Sequence, residues 1–276
     1  RGDKLSLRSQ DSIGLMNVND VRGLAAQVNG STSNLSLKNG RSVNIESVSG
    51  TNGVQVGGTA WLDVTGNLTQ THRLVATNAG LKTSGAITLN AANAGTPLNQ
   101  VGTLAASATT GQIRFANATA LTIGTATTTE AAATLAGLST GSSNQGIRID
   151  VASGNLTQAN SISAGTGVVS LNAATGGVVQ LNVARAPEAT APIVTASALQ
   201  VTSGDTSQLV NDNQVGTLSA QVGGTAKDLS VVVAQGLVLG QSTDIDGRVL
   251  NGLNISGNAW VQARAGNITQ TQAVTA

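Results

Sequence analysis

Apolar residues along this chain alternate with Thr, Ser, Asn or Gln over short stretches, which then break at glycine. Ala86-Ile87-Thr88-Leu89 and Asn254-Ile255-Ser256 are of this kind, each placing one face inward and one in water. Val168-Val169-Ser170-Leu171-Asn172 is echoed ten positions later by Val178-Val179-Gln180-Leu181-Asn182, with Gly176-Gly177 between. Asp228-Leu229-Ser230-Val231-Val232-Val233, then Gly236-Leu237-Val238-Leu239-Gly240, keeps the same rhythm. The predicted unit is a strand of a few residues, a tight turn and another such strand. No window carries the capped stripe of a good amphipathic helix. The nearest exception is 127–138, where Glu130-Ala131-Ala132-Ala133-Thr134-Leu135 suits a short helical excursion or an irregular loop equally.

Longer motifs repeat in a fixed order. Gly66-Asn67-Leu68-Thr69-Gln70-Thr71 returns as Gly154-Asn155-Leu156-Thr157-Gln158-Ala159 and Gly266-Asn267-Ile268-Thr269-Gln270-Thr271. Val101-Gly102-Thr103-Leu104-Ala105-Ala106 returns as Val215-Gly216-Thr217-Leu218-Ser219-Ala220, with a degenerate copy at Val21-Arg22-Gly23-Leu24-Ala25-Ala26. Ile87-Thr88-Leu89-Asn90-Ala91-Ala92 matches Val169-Ser170-Leu171-Asn172-Ala173-Ala174. The chain thus holds about three imperfect modules of unequal length, a variation that a solenoid absorbs as loops and a propeller does not.

A sandwich would show Asn-Gly or Asp-Gly hairpins between long strands and several core aromatics. Such pairs occur at Asn29-Gly30, Asn39-Gly40, Asn52-Gly53, Asp246-Gly247 and Asn251-Gly252, but scattered and beside very short strands. The expected fold is all-β, a right-handed parallel β-helix (β-solenoid) of short strands with a few loop excursions. Residues 1–276 form one continuous segment of it. In a parallel coil like stacks on like, so Leu89-Asn90, Leu171-Asn172 and Leu181-Asn182 are expected to place Asn in a turn ladder. Coils of ~20–25 residues spaced ~4.8 Å apart would give about 11–14 coils and a rod of roughly 50–65 Å. Residues 184–196, with Pro187 and Pro192 and no alternation, are expected to leave the rod as a loop.

Composition sharpens this picture. The chain has no Cys, no Tyr, one Phe, two Trp, 34 Gly and only 3 Pro, so its interior must be built from Val, Leu, Ile and Ala. Such residues suit a narrow, regularly stacked core. Fourteen basic against thirteen acidic residues leave no electrostatic footprint for nucleic acid, and no stretch is apolar enough for a membrane span. Missing cysteines exclude disulfides and thiolate metal sites. No secretory signal opens the chain, and both ends fall inside the repeating pattern, which reads as an interior or processed segment.

Gly-Asn-Leu-Thr-Gln, Val-Gly-Thr-Leu-Ala-Ala and Ile-Thr-Leu-Asn-Ala-Ala together resemble the repeat region of filamentous-haemagglutinin-like exoproteins. The resemblance covers nearly the whole chain and is one of style, without a diagnostic site. It implies a long β-helical shaft exported by a two-partner system to the outer surface of a Gram-negative bacterium. It also implies adhesion, aggregation or biofilm roles, with a host-cell or neighbouring-cell receptor or glycan as partner. The family's secretion domain and any toxin domain are not found here.

Candidate sites are few. Arg1-Gly2-Asp3 has the form of an integrin-binding tripeptide or of an ordinary turn. Asn67, Asn155 and Asn267 are glycosylation sequons inside the repeated turn; Asn29, Asn34, Asn117 and Asn254 are further sequons. The other reading is a polar ladder. The single histidine, His72, has no nucleophile elbow beside it and reads as a solvated turn residue. Asp205, Asp212, Asp244 and Asp246 lie in loops that could serve a β-helical polysaccharide lyase or hydrolase, yet the surface lacks aromatic sugar platforms. Asp244-Ile245-Asp246-Gly247 lacks the further ligands of a calcium loop. Trp61 and Trp260 each precede a copy of the Gly-Asn-Leu/Ile-Thr-Gln turn and suggest a structural role at one corner of a coil. No catalytic, cofactor or metal residue is expected. The expected function is a non-enzymatic structural and adhesive rod. A self-assembling filament subunit, pairing end to end or laterally, is the alternative, and a glycan-processing β-helix the third.

Overall fold

A single ladder of parallel strands runs from one end of the molecule to the other. In the computed structural model, which describes residues 3–90, 98–181 and 191–276, Lys4–Ser9 pairs with Gly23–Val28, which pairs with Val43–Ile45. The ladder continues through Leu68–Gln70, Ile87–Leu89, Ile113–Asn117, Ile147–Val151 and Val168–Ala173. It ends through Val194–Ser203, Ser207–Val222, Leu253–Ile255 and Val274–Thr275. These are twelve levels, and at ~4.8 Å per step the rod is about 50 Å long. Twenty-six strands join this one parallel network. The fold is a parallel β-solenoid.

Alternation decides which residues go inside. Leu35, Leu37, Leu62, Leu68, Ile87, Leu89, Ile113, Phe115, Ile147 and Ile149 are all fully buried along the axis, each level adding a few aliphatic side chains. The corners are polar and largely satisfied, the exception among the described residues being Gln70 Nε2, which is buried without a partner. Asn117 accepts from Val101 N–H at 2.9 Å and donates to Val101 O at 3.0 Å and Thr119 O at 2.8 Å. Asn39 does the same with Val21 and Arg41. Asn19, Asn99 and Asn213 each stand two residues before the marker valine (Val21, Val101, Val215), and each donates to several carbonyls at its corner. Carboxamides can answer several backbone groups that a turn leaves unpaired, and burying those groups without partners would be costly. Asn172 does not take the turn position expected of it: it lies inside the strand Val168–Ala173 and donates to Asp150, whereas Asn90 follows directly on the strand Ile87–Leu89. Asn182 lies outside the described residues.

The Gly-Asn-Leu-Thr-Gln turn has a clear division of labour. Gly66, Gly154 and Gly266 take positive φ (103°, 84° and 78°), which L side chains resist. Asn67 Oδ1 accepts the Ala86 N–H of the next coil at 2.9 Å, and Asn155 Oδ1 that of Gly177 at 3.0 Å. Leu68 and Leu156 turn inward, Thr69 and Thr157 outward, and Gln70 and Gln158 fill a buried corner.

The second marker ends where the next coil leaves the rod. After Leu24, Leu104 and Leu218 the strand of the following coil splits in two. Gly23-Leu24 pairs with Asn44-Ile45 while Ala26–Val28 pairs with Val54–Val56; Leu104 and Ala106, and Leu218 and Ala220, part in the same way. An antiparallel hairpin is inserted at each split, at 46–53, 124–137 and 240–252. Each hairpin closes on a glycine with positive φ, Gly53, Gly137 or Gly252. The carbonyl of that glycine accepts from Ala26, Ala106 or Ala220, at 2.9 Å in all three. Ala25, Ala105 and Ser219 point outward and are still fully buried, because the hairpin lies on them.

Two expectations are corrected here. Residues 127–138 are neither helix nor irregular loop: Thr125–Thr128 and Ala133–Ala136 form the second hairpin, with Glu130 at its tip. Packing of one hairpin face on the rod overrides the helical leaning of the alanines. Asn52-Gly53, Asp246-Gly247 and Asn251-Gly252 do mark hairpins, laid on the outside of the rod instead of within a sandwich. The loop expected at 184–196 falls largely outside the described residues; its last three, 194–196, are in the strand Val194–Ser203.

Candidate functional site

Polar chemistry concentrates where the hairpins meet the outer face. Each hairpin runs back over earlier coils, and its inward-facing residues alternate. On the third, Ser242 meets Ser219, Asp244 meets Arg148, and Asp246 meets Arg148 and Arg114. Arg114, Arg148, Ser170, Gln200 and Ser219 are stacked neighbours in one outward column, so the hairpin covers four steps of the ladder.

Arg148 is the centre of this network. It holds Asp150 with two nitrogens at 2.8 and 3.1 Å, Asp244 Oδ2 at 2.8 Å and Asp246 Oδ2 at 3.3 Å. Asp244 accepts further from the N–H groups of Asp246 and Arg248, both at 2.9 Å. The Asp150 hydrogen bond raises the guanidinium pKa against the opposing effect of burial, and the charges of Asp150, Asp244 and Asp246 add to it. Asp244 is 1% exposed in its side chain, so its charge depends on these partners. Gln200 Nε2 donates to Ser242 O at 2.8 Å and Arg248 O at 3.1 Å, which fixes both hairpin strands.

The second hairpin uses different groups in the same positions. Ala126 faces Gly80 and the indole of Trp61, Thr128 Oγ1 lies 2.6 Å from Ser36 Oγ, and Glu130 accepts from Asn34 Nδ2 at 3.3 Å. Burial alone would raise the Glu130 carboxyl, but hydrogen bonds from Thr128, its own backbone, Asn34 and Ser12 outweigh it and lower its pKa to about 2. The first hairpin is smaller: Thr51 accepts from Ser6 at 3.0 Å and Arg8 at 2.9 Å.

The other sequence candidates are dispersed. Asp205 pairs with Lys227 at 2.8 Å, whose hydrogen bond lowers the carboxyl pKa, and Asp212 pairs with Arg264 at 2.6 Å. Asp244 and Asp246 are brought together, but against arginines; the four carboxylates do not converge on a cleft. His72 Nδ1 hydrogen-bonds with the neighbouring Thr71 hydroxyl in a turn. Arg1 and Gly2 lie outside the described residues, while Asp3 is an exposed partner of Arg22 at 3.6 Å. Asn67, Asn155 and Asn267 are exposed at equivalent turns, whereas Asn117 is fully buried. Trp61 is 4% exposed and Trp260 50% exposed, so matched positions in the sequence have different surroundings. Among the described residues no group of three or more His, Cys, Asp or Glu could hold a metal ion, and no helix is long and apolar enough to cross a membrane.

A shallow, open concavity of about 350 Å³ is lined by Arg22, Arg41, Ser42, Val43, Asn44 and Thr69. Its guanidinium groups are already paired, Arg41 with Asp20 at 2.9 Å and Arg22 with Asp3. The sequence reading passed over Arg114, Arg148 and Glu130. The signal available was a charge at the wet position of an otherwise apolar strand, as in Ile113-Arg114-Phe115 and Ile147-Arg148-Ile149. Comparison with protein-family models, with curated proteins and with solved structures gives no match for this chain.

Proposed function

We propose that the chain is a length of structural and adhesive rod from a large secreted bacterial surface protein, supporting cell adhesion, aggregation or biofilm. One observation carries this reading. The twelve-level ladder is continuous, and the most buried charged cluster beside it, Arg114 and Arg148 with Asp244 and Asp246, fastens a hairpin to its outside. Such a body supplies reach and stiffness, since every coil is bonded to the coils above and below it. The repeat motifs that resemble filamentous-haemagglutinin-like exoproteins support secretion to an outer surface, with a receptor or glycan on a host or neighbouring cell as partner. For the non-enzymatic part of the reading, the support is that Asp205, Asp212, Asp244 and Asp246 each face a Lys or Arg.

In a second reading the chain is a self-assembling extracellular filament subunit, since a ladder of parallel strands can be extended by edge pairing with another copy. Cryo-electron microscopy of native material released from the cell surface separates the readings. A thin, single-chain shaft of constant width is the expected image. Identical subunits repeating along a filament would replace the rod with an assembling unit, and a compact particle carrying glycan-cleaving activity would overturn both.

A further inference from the structure

The three modules differ in length but correspond strand by strand in their pairing, and the comparison leaves one position unfilled. In the first module Leu35–Asn39 stacks under Val54–Val64, pairing the outward residues Ser36 and Trp61. In the second, Ile113–Asn117 under Ile147–Val151 pairs Arg114 with Arg148. In the third, Leu229–Val233 under Ala259–Ala263 pairs Ser230 with Trp260. The first pair is covered by the hairpin of the second module, through Ala126, Thr128 and Glu130. The second is covered by the hairpin of the third module, through Asp244 and Asp246. The third pair is uncovered: Trp260 is half exposed where its counterpart Trp61 is buried, and Ser230 is partly exposed where Ser36 is fully buried.

The chemistry beside the uncovered pair says what fits. Asn34 precedes the first pair. Its Oδ1 accepts the Thr59 N–H at 2.8 Å, leaving its Nδ2 to donate to Glu130. Asp228 stands at the same place in the third module, and its Oδ1 accepts the Asn258 N–H at 2.7 Å and Asn258 Nδ2 at 3.2 Å. The backbone role is kept, but the donor that met Glu130 has become a carboxylate. An acidic tip residue would be repelled there, and a cationic one would be attracted.

We propose that the Ser230–Trp260 strip is a docking site for a β-hairpin of the same construction as 124–137 and 240–252, carried by a further solenoid module stacked on the open last coil. The hairpin bears a small residue over Trp260, a hydroxyl over Ser230, and Lys or Arg where Glu130 stands in the second module. The inference depends on the pairing of the modules and not on adhesion, so the rod reading survives its failure.

The test extends the full chain. A copy of residues 72–158 is joined after Thr271, so that Gly266-Asn267-Ile268-Thr269-Gln270-Thr271 runs into the stretch that follows its first copy. The added hairpin carries either Glu or Lys at the position copied from Glu130. Trp61 is already shielded, so the acrylamide-quenchable emission comes from Trp260. Extension with Lys is expected to reduce that quenching several-fold and shift the emission to the blue. The Glu version is expected to dock about two- to five-fold less well, a preference that Asp228→Asn abolishes. Undiminished quenching in an extended chain whose added amides are protected from hydrogen exchange overturns the proposal. Should the extension fail to fold, a backbone-cyclised 124–137 peptide with Lys at that position is titrated into the unextended chain. A saturable blue shift supports the site, and unchanged emission at millimolar peptide overturns it. Concentration-dependent shielding of Trp260 in the unextended chain alone would instead make a second copy the occupant, which also overturns it.

Discussion

The indole of Trp61 occupies the space that a side chain at Gly80 would need. A Cβ on Gly80 would collide with Cε3, stand 2.7 Å from Cζ3, and be held from the other side by Ala126. The two residues are direct ladder partners, so the largest and smallest side chains of the outer face are stacked together and sealed by the second hairpin.

Gly80→Ala should therefore displace the ring, which cannot move outward without lifting the hairpin. The cost expected for overpacking is about 1–3 kcal/mol. Urea unfolding followed by Trp emission should show a lower midpoint and a red-shifted folded baseline. An unchanged baseline would mean that the ring has room that the geometry denies it.

Glu130 makes the same seal pH-dependent. Its folded pKa, about 2, lies below the ordinary 4.5, so its contribution is complete above about pH 4.5 and is lost as pH falls through about 2. Trp61 should stay protected from acrylamide at pH 4 and become quenchable toward pH 2. Glu130→Gln should flatten that profile without removing the hairpin, because Gln keeps an acceptor for Asn34 and Thr128.

Arg148→Ala should leave Asp244 buried without its cation. Truncating one partner of such a pair costs about 3–5 kcal/mol, more than removing both. Amide exchange in 240–252 should accelerate strongly in Arg148→Ala, and less in Arg148→Ala with Asp244→Ala. Equal acceleration in both would show that Asp150 and Asp246, not Asp244, carry the coupling.

Two glycines of the third hairpin should behave differently. Gly252 and Gly247 both have positive φ, at 59° and 80°. A Cβ on Gly252 would collide with the Ala273 carbonyl, whereas one on Gly247 would meet nothing within 4 Å. Gly247→Ala should cost about 1–2 kcal/mol of backbone strain alone. Gly252→Ala should cost clearly more and should unpair Val274–Thr275 from Leu253–Ile255, read as lost exchange protection in those strands.

The parallel coil was legible because alternation, aliphatic bias and ordered repeats all point one way: Leu68, Ile87 and Ile113 are stacked neighbours in the structure as in the pattern. The hairpins were not. Ala131 to Ala133 carry a local preference that is reversed only by the hairpin's packing on the rod, where Thr128 meets Ser36 from about ninety positions away. The alanine of Leu-Ala-Ala was visible as a repeat, but its smallness has a reason only once a hairpin is seen lying on Ala25 and Ala105. The charged sites were hidden for the same reason. Arg148 looks like any wet strand residue until Asp244 arrives from 96 positions away.

Because each of the three hairpins among the described residues reaches back over earlier coils, the modules overlap like roof tiles. A stretch of rod is weatherproofed only by what comes after it, so the structure has a grain. Stripping it from the late end lifts one tile at a time, while an attack from the early end must first slide beneath the next. For a chain that emerges from its early end, each new module would bolt down the one before, turning the order of emergence into a one-way ratchet.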